Sequence, residues 1–244
     1  MDDIAELKKM ARRALDYQEI QNLFSMHCYI MMKSPTQEME KIWAKEHDDV
    51  CFSQNWGIWV GLKAVKDHYK DESREAIQKK LDEKRKWHPD IPNDIKYASA
   101  GESGLHTLTT PIIEVAGDGE TAKGMWYTPG FMTMFNNKNG KWESSWMYEL
   151  YAIDFIKEDG KWKIWHFCVC NDFSCPYYKS WADVAQEKGT AGTVINEISP
   201  TQALGATLPG HAFEGYHTRR ITGDFPKPPE PYETFSETFS YAPR

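Results

Sequence analysis

Residues 105–171 restrict what this chain can fold into more than any other stretch. They open with Leu105-His106-Thr107-Leu108-Thr109-Thr110-Pro111-Ile112-Ile113-Glu114-Val115. The runs 122–127, 142–155 and 161–167 follow, each rich in aromatic and β-branched residues. Turn chemistry separates them: Gly117-Asp118-Gly119, Asn136-Asn137-Lys138-Asn139-Gly140 and Glu158-Asp159-Gly160. Runs of this kind with such punctuation predict an antiparallel meander of about four strands joined by hairpins. A bent sheet leaves a concave side to fill, and the helical stretches before it are its natural cover.

Residues 3–33 predict a helix with room for one break near Asp16-Tyr17. Leu7, Met10, Ala11, Leu15, Ile20, Leu23, Phe24, His27, Cys28 and Met31 recur at helical spacing. Pro35 closes the run, and Thr36 can cap a short helix. Residues 49–53 and 56–61 read as short strands, and 62 to about 86 as a second long helix. A loop runs from Pro89 to Gly104, and Tyr178 to Glu187 reads as a short helix. Beyond residue 188, Gly, Pro and Thr dominate, yet Phe213, Tyr216, Phe225, Tyr232, Phe235, Phe239 and Tyr241 remain. Disordered tails are poor in aromatics. The expected organisation is one α+β domain over 1–188 and an irregular arm over 189–244 that docks on its own domain or on a neighbouring subunit.

The net charge of −7 argues against a general nucleic-acid binder, which needs clustered Lys and Arg. No apolar run approaches the ~20 residues that span a bilayer. The acidic N-terminus lacks a secretory pattern, so a cytoplasmic protein is expected. Five cysteines in 244 residues do not make a disulfide scaffold, and Cys28 and Cys51 read as core fillers. His166, Cys168 and Cys170 share one face of a strand. Their spacing matches no common zinc pattern, and no metal is expected. No Gly-rich phosphate loop and no Gly-x-Ser-x-Gly elbow occurs.

Several segments fall into a familiar order. Tyr29 ends a long helix, Asp49-Val50 follows, and Gly61-Leu62-Lys63-Ala64-Val65-Lys66 turns into a helix. His106 then opens a strand ending in Ile112-x-Glu114-Val115-x-Gly117-Asp118. Last comes Tyr151-x-x-Asp154-Phe155-x-Lys157-Glu158-Asp159-Gly160-x-Trp162-Lys163-Ile164. Together, over about residues 10–170, these resemble the SnoaL-like branch of the nuclear-transport-factor-2-like superfamily. The resemblance implies a curved mixed β-sheet wrapped around helices, a cone with a deep apolar pocket. Family members include polyketide cyclases, scytalone dehydratase, ketosteroid isomerase, bile-acid dehydratase and lyases of lignin-derived aryl dimers. Those enzymes move protons without a cofactor; other members only bind or assemble.

The resemblance also implies roles. His106 would face the pocket as base or acid, in keeping with imidazole chemistry. Tyr29 would donate to a developing oxyanion, or would be a buried aromatic with a satisfied hydroxyl. Family dehydratases often place an aspartate about five residues after this tyrosine, where this chain has Met32, Lys33 and Ser34. Asp154 then stands as partner of His106 or as base; its alternative is a solvated sheet edge. By strand parity it shares a face with Trp146, Tyr148 and Leu150. Lys33 would serve an anionic or enolate substrate, or be exposed. His27, two residues from Tyr29, points to another face and reads as packing. His166 is placed equally by a pocket role and a structural one, and Asn171 would line the mouth. Trp56, Trp59, Trp126, Trp146 and Tyr148 would line the pocket, or fill a large aromatic core.

The function this implies is a cofactor-independent lyase or dehydratase, with isomerase second, acting on a hydrophobic aromatic or polycyclic molecule. The alternative is a non-catalytic small-molecule-binding protein of the same fold. The resemblance further implies a homo-dimer or homo-trimer. Phe225, Tyr232, Phe235 and Tyr241 of the arm are expected to pack across the subunit boundary.

Overall fold

The computed structural model describes residues 2–31, 35–69, 73–192, 205–221, 223 and 226–242. Helix α1, Asp2–Met31, runs through Asp16-Tyr17 without a break. Its second half buries Asp16, Ile20, Phe24, His27 and Ile30, a stripe at helical spacing. Its first half leaves Leu7, Met10 and Leu15 exposed, although the pattern predicted core there. Asp16 marks the change: its carboxylate accepts from Trp162 Nε1 at 2.8 Å and from Lys157 Nζ at 2.9 Å, which docks the helix on the sheet.

Helix α2 (Pro35–Ile42) leads to strands β1 (Cys51–Gln54) and β2 (Gly57–Val60). The expected single helix over 62–86 is two, α3 (Leu62–His68) and α4 (Arg74–Trp87). Ser73 starts the second by accepting from the Ala76 N–H, an N-cap that the periodicity alone did not reveal. Five strands then follow where about four were expected: β3 (Ser103–His106), β4 (Thr109–Val115), β5 (Thr121–Asn136), β6 (Lys141–Glu158) and β7 (Lys161–Pro176). Helix α5 is Trp181–Lys188.

All seven strands form one sheet in the order β2-β1-β7-β6-β5-β3, with β4 beside the other half of β5. The β1–β7 pair is parallel and the rest are antiparallel, so this is a mixed, open, curved sheet with helices against it, an α+β cone. His106 ends β3 rather than opening a longer strand. The break has a local cause: Thr110 has φ 47° and the register with β5 shifts between Thr109 and Ile112. Pro111 in the same step has no N–H to donate. Past the break, β3 lies so close to β5 that a Cβ on Gly130 would sit 2.2 Å from the Leu105 carbonyl oxygen.

The inner face of the sheet closes on α1. Phe24 packs 4.6 Å from Trp126 and 5.4 Å from Phe167 between ring centroids, with Tyr151 and Phe155 at its edges. The outer face is covered by the chain's own tail. Met125, Ala152, Cys168 and Cys170 pack under Phe213, Phe239 and Tyr241. Among its described residues the tail is irregular apart from one 3₁₀ turn, Phe235–Glu237. Its backbone grips the turn before β5, where Gly117 N–H donates to Tyr232 O and Asp118 N–H to Glu233 O. No described helix is long and apolar enough to cross a membrane.

Candidate functional site

The end of β3 brings His106 to the inner face, where β6 supplies Glu149 and Tyr151 at alternate positions. Register pairs Glu149 with Asn171 on β7. The Tyr151 hydroxyl donates to Glu149 Oε2 at 2.8 Å and lies 3.1 Å from His106 Nδ1. His106 Nδ1 is 3.5 Å from the same carboxylate oxygen. Asn171 Nδ2 donates to the other oxygen, Oε1, at 3.3 Å.

Proton counting assigns the tautomer. A hydroxyl carries one hydrogen, and that of Tyr151 goes to Glu149. The His106 bond must then be donated by Nδ1–H, and in the neutral ring Nε2 keeps a lone pair. Among the described residues Nε2 has no hydrogen-bond partner. The His106 side chain is 15% exposed and that of Glu149 7%, so the imidazole is the open end of the group.

Burial works to raise the Glu149 carboxyl, but the bonds and charge from His106, with Tyr151 and Asn171, outweigh it and hold Glu149 below the ordinary range. Burial, then the Glu149 charge, pushes the Tyr151 phenol far up, so it stays protonated. Cys28 goes up to about 12 for the same two reasons. His27 is driven down to about 3 by burial and by His106, and neither of its ring nitrogens has a partner.

The other expected site residues fall elsewhere. Tyr29 is 69% exposed, because the helical turn that points His27 and Ile30 inward points Tyr29 out. The phenol near the histidine comes from β6. Strand parity does put Asp154, Trp146 and Tyr148 on one face of β6, but it is the face turned away from His106. Asp154 is neither partner to His106 nor at a solvated edge. It is fully buried under the tail, 2.5 Å from Lys123 Nζ and 2.8 Å from His166 Nδ1. Ser240 Oγ and the Tyr241 N–H also donate to it, at 2.9 and 2.8 Å. His166 therefore belongs to the outer face as well. Trp146 stacks on Tyr177, and Tyr148 on Phe173, at the outer surface. Trp59 and Trp126 are fully buried in the core, and Trp56 packs against it. Asn171 does join the His106 group. Lys33 lies outside the described residues.

Glu149 escaped the sequence reading. Its one signal was a carboxylate two residues before a tyrosine inside an aromatic strand, where an unpaired charge is costly. Cavities open elsewhere on the molecule. One of about 570 Å³ lies between Arg12 and Arg13 of α1 and Tyr232 and Glu233 of the tail. One of about 380 Å³ is lined by Trp146, Tyr148, Phe173, Trp181 and Tyr216. Neither borders His106.

Comparison with known proteins gives the following. An NTF2-like protein with a cystatin-like fold from Novosphingobium aromaticivorans is 15% identical, with 70% of this chain and 91% of that one covered and a TM-score of 0.47. A candidate scytalone dehydratase from the same species is 10% identical, with 78% and 99% covered and a TM-score of 0.49. The hexachlorocyclohexane dehydrochlorinase LinA-type3 from Novosphingobium barchaimii is 15% identical, with 70% and 95% covered and a TM-score of 0.46. No curated protein matches the chain. The SnoaL-like domain family matches residues 12–167, which hold His106, Glu149 and Tyr151 and end within β7, before Asn171. The chain belongs to the SnoaL-like domain family.

Proposed function

We propose that the chain is a cofactor-independent lyase that removes a proton and a neighbouring leaving group from a hydrophobic, aromatic or polycyclic small molecule. The observation that carries this reading is the His106 geometry: Nδ1 is tied to Tyr151 and Glu149, and Nε2 has no partner among the described residues. Nε2 takes a proton from a carbon made acidic by a neighbouring carbonyl or ring. The imidazolium that forms sits beside the Glu149 carboxylate, which offsets its charge and fixes its ring. Tyr151 completes the link and stays a neutral donor. The same Nε2–H then protonates the departing hydroxide, or is released to water when the leaving group is a halide. Asn171 holds Glu149 in place.

A second reading, a small-molecule-binding protein without activity, is favoured by one observation: the cavities of about 570 and 380 Å³ both lie away from His106. A panel of aryl and polycyclic compounds, each with an acidic C–H next to a carbon bearing a hydroxyl or halide, separates the two. Mass spectrometry is expected to show loss of water or hydrogen halide for some members. His106→Ala should then lower turnover by roughly two to four orders of magnitude. Binding without any mass change, with affinity indifferent to His106→Ala, would instead establish the binding reading.

A further inference from the structure

Strand β7 turns two thiols toward the outer face, where the proposed chemistry has no use for them. Cys168 and Cys170 are buried, and their sulfurs are 3.8 Å apart. His166 shares this face but is committed to Asp154. The third donor comes from the tail. A ring nitrogen of His211 and the two sulfurs all lie within 4.8 Å of one another.

We propose that Cys168, Cys170 and His211 form a closed, three-ligand site for Cu(I). Two thiolates on one ion at ~2.3 Å stand ~3.8–4.0 Å apart across tetrahedral to trigonal angles, which is the separation seen here. A disulfide is the poorer use of the pair. Residues i and i+2 of a strand have Cα atoms ~6.6–6.8 Å apart, at the far limit of disulfide geometry. The histidine is already oriented: its Nε2–H donates to the Val169 carbonyl oxygen at 2.8 Å, the kind of anchoring bond that metal-bound histidines make, and the ion would replace the Phe213 N–H that Nδ1 accepts at 3.3 Å. Its segment is fixed to β1 by the His211 N–H on Gln54 O and by Asn55 Nδ2 on Phe213 O.

The donor set selects the ion. Thiolates and imidazole suit Cu(I) and Zn(II) alike. Structural zinc takes four ligands, and the described residues offer three in this cluster. Met125, Ala152 and Tyr241 are the other buried apolar residues of the thiols' cluster.

The test uses the full chain, reduced and anaerobic, with Cu(I) supplied as its acetonitrile complex against bicinchoninate. The expected result is one equivalent held per chain, an X-ray absorption shell of two sulfurs and one nitrogen, and a raised melting temperature. Cys168→Ser and His211→Gln should each weaken retention at least ~100-fold. Cys175→Ser, whose thiol packs in a separate cluster, should leave it unchanged. His211→Gln removes no core side chain, so it stays informative if Cys168→Ser fails to fold. Loss of all Cu(I) to the competitor would overturn the proposal. So would retention indifferent to His211→Gln, or firm binding of Zn(II) by a chain that releases Cu(I).

Discussion

His27 and Glu149 both make this protein sensitive to acid, in different windows. His27 is buried, neutral and without a partner, so its folded value of about 3 lies far below the ordinary 6.5. As pH falls below 6.5 the unfolded chain takes up a proton that the folded chain refuses, and stability is lost until about pH 3. The full effect is on the order of 4 kcal/mol, about half of it by pH 4.5. Glu149 is also depressed, but from 4.5, so its contribution is intact above that value and fades only below it. Urea unfolding at pH 7, 5.5 and 4.5 should show His27→Leu losing clearly less stability than the wild type across this range. Parallel losses would mean that His27 is not the neutral group described. Glu149→Gln should separate from wild type at neutral pH and converge with it only well below pH 4.5. At this scale His106 was legible from its place in the family pattern. Its partner was not, because one Glu in a strand looks the same whether it faces water or a histidine.

The hairpins were readable because their turns demand particular residues: Gly140, with φ 70°, closes β5 to β6, and Gly160, with φ 69°, closes β6 to β7. The split between β3 and β4 was not, since the positive φ of Thr110 and the register shift against β5 that make it are not announced by the residue types. The division of α3 from α4 was hidden in the same way, because the apolar spacing continues across it. Gly130 is the element-scale test. Gly130→Ala must push the Leu105 carbonyl away and carry His106 with it. The expected cost is about 1–3 kcal/mol, with faster amide exchange at 103–106 and unchanged protection in the middle of β6. Equal exchange on β3 in both proteins would show that the close approach does not hold His106.

For the molecule as a whole, seven aromatics announced that the tail docks, but not what lies beneath it. Lys123, Asp154 and His166 come from three neighbouring strands and read as unrelated until the register sets them side by side. Within the chain the tail already uses residues that were expected to cross a subunit boundary. Phe235 packs 4.7 Å from Trp165, Phe235, Phe239 and Tyr241 ring the Lys123 ammonium at 4.6–4.8 Å, and Tyr232 meets Thr121. Phe225 lies outside the described residues. We propose a homo-dimer or trimer in which the same contacts, made within one chain or exchanged between two, fasten the tail. Tyr241→Ala should cost about 3–5 kcal/mol, and a chain ending at Lys188 should melt far lower. If the shortened chain keeps the assembly and melting temperature of the full one, the tail fastens nothing.

Biosynthesis gives that cover a timetable. Ser240 and Tyr241 stand 86 and 87 residues after Asp154, the carboxylate they seal. At ~5–20 residues per second, translation needs about 4–17 s to reach them. Late in that interval α1 and all seven strands have been made, while the Lys123–Asp154 pair still lacks its cover. The nascent domain is therefore built wet on one side and dried last. A ribosome that stalls in the final stretch releases a sheet that is assembled but unsealed.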